Sequence, residues 1–264
     1  MRKRYFSLAV AGVLAFLSAG CINRQLANDM PQPPSIDGYQ LADAGLGGQL
    51  YDDWPRVVHT RLSEQNPLYP RRGEFHVTNT YRCKSCHGWD FSGNQWSAGD
   101  GGEAHRVRGR SQVRELPPGQ LYQTIARGPA GHAFGDYLTR QEVWALVRFI
   151  REELIDPSKV IAADGRVAGD AAKGRALYEQ RCADCHGSDG RGIDLRRKDG
   201  VQGVGWRVAG NPVVALHRVR WGRSSKMHYT GRMRGGKPSG RADLQLSDQQ
   251  ILDILAYCSE LPKR

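Results

Sequence analysis

The pentapeptide Cys-x-x-Cys-His occurs twice, as Cys83-Lys84-Ser85-Cys86-His87 and as Cys182-Ala183-Asp184-Cys185-His186. No other feature constrains the fold as tightly, because this is the pattern of covalent haem attachment. Two thiols add across the haem vinyl groups, and the adjoining His supplies one axial ligand to the iron. With 6 Cys and 8 His in 264 residues, the frequencies alone give about 0.004 chance occurrences, so two copies are not coincidence. Disulfides or a four-thiolate zinc site also use Cys-x-x-Cys, but neither calls for a His directly after the second Cys. The residues therefore imply two covalently bound haem c groups, one on Cys83, Cys86 and His87, the other on Cys182, Cys185 and His186.

Attachment of this kind needs an exported chain, and the N-terminus reads that way. Arg2, Lys3 and Arg4 precede an apolar run from about Phe6 to Leu17, too short to cross a bilayer comfortably and suited to a secretory signal. Ser18-Ala19-Gly20-Cys21 resembles the lipobox of bacterial lipoproteins, in which the Cys is lipidated. Leu17 sits one position early for that pattern, so ordinary cleavage and an uncleaved anchor stay open. A lone exposed thiol is otherwise a liability in an oxidising space, and Cys21 is the expected lipidation site of residues 1–21. Residues 22–49, Pro- and Gly-rich between Asn28 and Gly48, read as a tether. The net charge of +11 falls to +8 once Arg2, Lys3 and Arg4 are removed. An exported basic protein does not meet nucleic acid. Arg218, Arg220, Arg223, Lys226, Arg232 and Arg234 instead suggest a face for acidic redox-partner proteins.

The remainder reads as an imperfect duplication. Asn211-Pro212 starts a short helix, with Asn as N-cap and Pro at the first helical position, which Gly222 ends. Ser247-x-x-Gln250 opens a final helix through a capping box, with Ile251, Leu255 and Cys258 on one stripe. In the first half Pro117-Pro118 starts the short helix, Gly128 ends it, and Thr139-x-x-Glu142 caps a helix striped by Val143, Val147, Ile150 and Leu154. Asp156-Pro157 closes that unit, because a helix rarely continues into the residue before Pro.

Both halves resemble class I cytochrome c domains, which makes the chain similar to di-haem c-type cytochromes. The resemblance implies a mainly α fold, two small helical bundles each wrapped round a covalent haem. Domain 1 is expected over 50–155 with an N-terminal extension, a linker over 156–168 and domain 2 over 169–264. Gly169 to Tyr178 is similar to the family's first helix, and Gly174, Tyr178 and Tyr257 to the contact where its terminal helices cross. The first domain lacks so good a helix. Thr78-Asn79-Thr80-Tyr81 before Cys83 favours other conformations, so irregular backbone is expected there, and Leu50–Glu74 has no assigned place.

The sixth iron ligand distinguishes the halves. The family places a Met in the loop after the short helix, and Met227 stands there, with Met233 and His228 as competitors. The first half has no Met after Cys83, which leaves His132, four residues past Gly128, as partner of His87. His59, His76 and His105 are alternatives, as is an open iron. A thioether favours Fe(II) more than imidazole does, so haem 1 is expected at lower potential than haem 2. The resemblance implies electron transfer in the periplasm, from haem 1 to haem 2, by a carrier or by part of a larger redox complex. A di-haem enzyme similar to thiosulfate dehydrogenases or peroxidases is the alternative. The former use a distal Cys, which the first half lacks; Cys258 reads as a buried apolar thiol.

Overall fold

The computed structural model describes residues 36–69, 76–93, 109–195, 202–222 and 246–263. These are helical: α1 (Ile36–Gln40), α2 (Ala44–Val57), α3 (Cys83–His87), α4 (Arg110–Glu115), α5 (Pro118–Ala126), α6 (Arg140–Glu152), α7 (Ala171–Arg181), α8 (Ala183–His186), α9 (Val204–Gly210), α10 (Pro212–Trp221) and α11 (Asp248–Glu260). Among the described residues there is no strand, only the isolated bridge Ile161–Val167, and no helix is long and apolar enough to cross a membrane. The mainly α expectation holds.

Each half is built on a crossed pair of helices. In the second, Asp170 Oδ1 accepts from the N–H groups of Ala172 and Lys173 and starts α7. α7 crosses α11, which Ser247 and Gln250 open through a reciprocal capping box. The crossing is so close that a Cβ on Gly174 would lie 1.8 Å from the carbonyl oxygen of Asp253. Tyr178 packs on Tyr257 with ring centroids 5.4 Å apart. The short helices α5 and α10 begin at Pro118 and Pro212 as the sequence predicts.

The first half repeats this plan with a helix that the sequence reading misplaced. Asp43 Oδ1 accepts from Gly45 and Leu46 and starts α2. α2 crosses α6, itself opened by the Thr139–Glu142 capping box. A Cβ on Gly47 would stand 2.0 Å from the carbonyl oxygen of Ala145. The expected tether thus gives way to helix from residue 36, and α2 begins inside it. Leu50, Tyr51 and Trp54, assigned to an unplaced extension, are fully buried core residues of α2. Val77–Tyr81 is a short tight turn of 3₁₀ helix, not the first helix of the half. The sequence Asp-Ala-x-x-Gly-x-x-Leu-Tyr occurs at 43–51 and again at 170–178. Tyr51 lies 32 residues before Cys83, whereas Tyr178 lies 4 before Cys182. The first half therefore carries a 28-residue insert between its first helix and its haem motif.

The two halves share a core boundary. Trp221 of α10 belongs to the first core, its carbonyl accepts from Gln49 Nε2 at 2.9 Å, and a Cβ on Gly48 would meet its ring at 2.7 Å. His217, one turn earlier, is fully buried and donates from Nε2 to the Gly48 carbonyl at 3.0 Å. The connecting segment is packed as well: Val160 is buried in the second core.

Candidate haem-binding sites

Cys83–His87 forms one helical turn, closed by Gly88 at φ 75°. It brings Cys83, Cys86 and His87 to the wall of a cavity of about 380 Å³. Leu121 and Ile125 of α5 and Leu146 and Ile150 of α6 supply apolar lining, and His132 and Phe134 enter from the loop after α5. Gly131 (φ 86°) makes the turn that carries His132, whose N–H donates to the Pro129 carbonyl at 2.7 Å. His132 Nδ1 lies 3.1 Å from the Thr124 carbonyl oxygen. A carbonyl only accepts, so this contact assigns the proton to Nδ1 and leaves the Nε2 lone pair available for a metal.

The rings of His87 and His132 have centroids 6.2 Å apart and planes at 71°. A metal ion about 2 Å from one nitrogen of each imidazole sets the centroids about 6 Å apart. Burial, then the neighbouring His132, pushes the pKa of His87 down to about 4, and burial lowers that of His132. Both rings are neutral at neutral pH, the form that ligates metals. Of the alternatives, His59 is exposed and His76 is an exposed partner of Thr78 Oγ1. His105 lies outside the described residues.

The second motif has the same local frame. Tyr51 donates to the Gly88 carbonyl at 2.6 Å, and Tyr178 to the Gly187 carbonyl at 2.8 Å. Gly88 and Gly187 are both left-handed, at φ 75° and 76°. Asp90 and Asp189 each cap the residue two further on, and the N–H groups of Gly93 and Gly192 return to the carbonyls of His87 and His186. At a shared left-handed position the residue type differs. Gly190 takes φ 77°, but its counterpart is Phe91 at φ 63°, a conformation that costs a bulky residue about 1 kcal/mol or more. Phe91 is buried and stacks on His87 at 4.4 Å and 17°, so the strained backbone sets a ring against the motif histidine. The sequence offered a signal for this, Phe91 where the other copy has Gly190.

Two buried ion pairs join α2 to the first motif, and neither was predicted. Asp53 binds Arg82 at 2.6 Å, and Asp52 binds Lys84, so both residues flanking Cys83 are anchored. Burial pushes the Asp52 carboxyl up, but Lys84 and then His217 outweigh it and hold the pKa below its ordinary value. The expected basic face is altered by the same packing. Arg220 is paired with Asp248 at 2.6 Å with its side chain only 10% exposed, and Arg218 lies over the Trp89 ring at 5.7 Å. Arg223, Lys226, Arg232 and Arg234 fall outside the described residues, as do Met227, Met233, His228 and Cys21.

Two family models match this chain. "Cytochrome c" covers residues 171–262, and "Cytochrome C oxidase, cbb3-type, subunit III" covers residues 70–150. The chain is a c-type cytochrome of two domains. Two curated relatives are similar to it. The Cbb3-type cytochrome c oxidase subunit CcoP of Rhodobacter capsulatus is 23% identical over 205 residues, 73% of this chain and 63% of that protein. The Cbb3-type cytochrome c oxidase subunit FixP of Azorhizobium caulinodans is 27% identical over 190 residues, 64% of this chain and 57% of that protein. The chain spans less than two thirds of the length of either. No solved structure matches it. The family match in the first half begins at residue 70, past α2, and so does not include the helix that the structure crosses with α6.

Cytochrome c domains imply covalent haem c, and the residues present fit it. An apolar cavity holds two thiols and two facing neutral imidazoles. His87 and His186 each keep a buried Nδ1 with no hydrogen-bond partner among the described residues, a cost that protein contacts leave uncompensated. None of the five described cysteines is in a disulfide. Among the described residues no group of three or more His, Cys, Asp or Glu converges as a zinc site would require. Cys258 is buried on α11, where burial raises its pKa.

Proposed function

We propose that this cytochrome is a di-haem electron-transfer protein, exported to the periplasm and anchored through a lipid on Cys21, that serves a redox complex similar to the cbb3-type cytochrome c oxidases. Its first domain runs from Asp43 to about Ile155 and its second from Gly169. The observation that carries the reading is the pair His87 and His132 on opposite sides of one apolar cavity. An iron with both faces filled by protein has no vacancy for substrate, which suits a relay and not an enzyme. Both curated relatives bear the name of an oxidase subunit, which favours a place in a larger redox complex.

Haem supplies a reversible one-electron iron couple, and the chain's own residues determine how it is held. Cys83 and Cys86, like Cys182 and Cys185, would fix it covalently, and His87 and His186 would ligate the iron. His132 closes the first site and Met227 the second. A haem held by His87 and His132 would favour Fe(III) relative to one held by His186 and Met227, so an electron would move from the first site to the second. Docking of an acidic partner falls to Arg223, Lys226, Arg232 and Arg234, because Arg218 and Arg220 are spent on internal contacts. The association rate should then fall steeply as salt rises, with the screening length near 8 Å at physiological ionic strength.

A spectroscopic redox titration of the purified holoprotein, with electron paramagnetic resonance, tests this directly. It should resolve two haems, the lower-potential one with the low-spin signature of two imidazoles. The higher should show the far-red charge-transfer band of Met-ligated Fe(III). Carbon monoxide should bind neither. Native protein that binds carbon monoxide at the first haem would overturn the relay in favour of an enzyme.

A further inference from the structure

The 28-residue insert has no counterpart in the second domain, and it returns to the wall of the first cavity, where Asn66 meets the loop that carries His132. Asn66, only 6% exposed, donates from Nδ2 to the carbonyl of Gly131 at 2.7 Å. Gly131 immediately precedes His132. The rest of Asn66 is occupied in holding its own position. Its Oδ1 accepts from the Leu68 N–H at 2.9 Å, and its N–H donates to Thr80 Oγ1 at 3.0 Å. Thr80, 1% exposed, donates in turn to the Val77 carbonyl at 2.6 Å. Asn66 and Thr80 both line the cavity. Trp54 of α2 secures the same strip, donating to the Tyr81 carbonyl at 2.8 Å and packing on Phe134, two residues past His132, at 5.7 Å.

The fit between insert and loop is close. A Cβ on Gly131 would lie 2.4 Å from Asn66 Oδ1, so the left-handed glycine both makes the turn and admits the Asn side chain. His132 is thus restrained from two sides. Its ring is aimed by the Thr124 carbonyl of α5, and its backbone is pinned from the other side by Asn66.

We infer that Asn66 is the positioning residue for the distal ligand of the first haem, and that the insert is a clamp keeping that iron six-coordinate. The inference rests on the assignment of His132 as ligand. The loop carries a mobile-prone Gly-Pro-Ala-Gly sequence at 128–131. Without the clamp the ring would be held by the 3.1 Å hydrogen bond to Thr124 and the Phe134 ring at 4.9 Å, on a loop tied back only by the Pro129 turn. The insert then has a function in ligand choice: it allows a His four residues past Gly128 to serve where the family uses Met.

Asn66→Asp separates the roles within this residue. It keeps an oxygen to accept from Leu68 and removes the amide that donates to Gly131, placing a carboxylate against a carbonyl. Losing one buried hydrogen bond and stranding its acceptor should shift the bound and open forms of the ligand loop by about tenfold. The holoprotein should gain a high-spin ferric fraction and carbon monoxide binding at the first haem, and that haem's potential should move, while the second haem stays unchanged. Asn66→Ala should do the same, and Asn66→Gln, which can still donate, should recover part of the native spectrum. If Asn66→Asp folds and its first haem stays fully low-spin, unreactive to carbon monoxide and unmoved in potential, the clamp is overturned. His132→Ala is the companion variant. If it too remains low-spin, His132 is not the ligand, and the assignment fails along with the clamp. If it opens while the Asn66 variants do not, the clamp alone fails.

Discussion

Gly174→Ala and Gly47→Ala should each destabilise the holoprotein by about 3 kcal/mol, the upper part of the range for forcing atoms into a filled interior. The added methyl would sit 1.8 Å from the Asp253 oxygen in one case and 2.0 Å from the Ala145 oxygen in the other. Both obstacles are backbone, so no rotamer change relieves them and the crossed helices must separate. The separation would also move Tyr178 and Tyr51, whose hydroxyls hold the carbonyls of Gly187 and Gly88 beside the motif histidines. Lost stability should therefore be accompanied by a shift in the potential of the haem on the same domain. Gly119→Ala is the control: it lies in α5 with nothing within 4 Å of its built Cβ, and it should be neutral or stabilising by under about 1 kcal/mol. Urea or thermal unfolding compares the three. Equal stability of Gly174→Ala and Gly119→Ala would refute the close crossing.

What could be read from the sequence was local, and what escaped was set at long range. The closing helices α6 and α11 announce themselves because capping boxes and apolar stripes lie within a few residues. α2 did not, although Asp43, Gly47 and Tyr51 repeat the spacing of Asp170, Gly174 and Tyr178. Gly45, Gly47, Gly48 and Pro55 give that helix the composition of a linker, and the insert separates it from its motif. Two of those glycines are required by close contacts, Gly47 against α6 and Gly48 against Trp221. The Asp52–Lys84 and Asp53–Arg82 pairs join residues 32 and 29 apart in the chain, which no local pattern reveals. His132 emerged by elimination of Met, and the structure sets it across the cavity from His87. Asn66, its proposed anchor, has no sequence signature at all.

His217 should make the protein lose stability in acid in a way that a single substitution removes. The residue is fully buried between Trp89 at 4.8 Å, Phe149 at 5.7 Å and Tyr51 at 6.5 Å. It faces Asp52 of α2 and Lys84 of α3, with Arg218 beside it on α10. Burial pushes its pKa down from 6.5 to about 4, Asp52 opposing that fall only in part. The unfolded chain thus takes up a proton below pH 6.5 that the folded protein refuses until about pH 4. The unfolded state binds more protons over that window, so stability falls as pH is lowered through it, by up to about 3 kcal/mol for a single site. His217 joins α10 of the second domain to Gly48 of the first through Nε2, and protonation would put a buried charge on Nδ1, which has no hydrogen-bond partner among the described residues, at this contact between the domains. His217→Phe keeps an aromatic ring among the three neighbours and removes the titration. It should start less stable at pH 7, having lost the bond to Gly48, yet lose less between pH 6.5 and pH 4. Carboxylates other than Asp52 titrate alike in both proteins, so the difference between the two pH profiles reports His217 together with the Asp52 it faces. Parallel profiles would show that His217 is not the acid-sensitive joint.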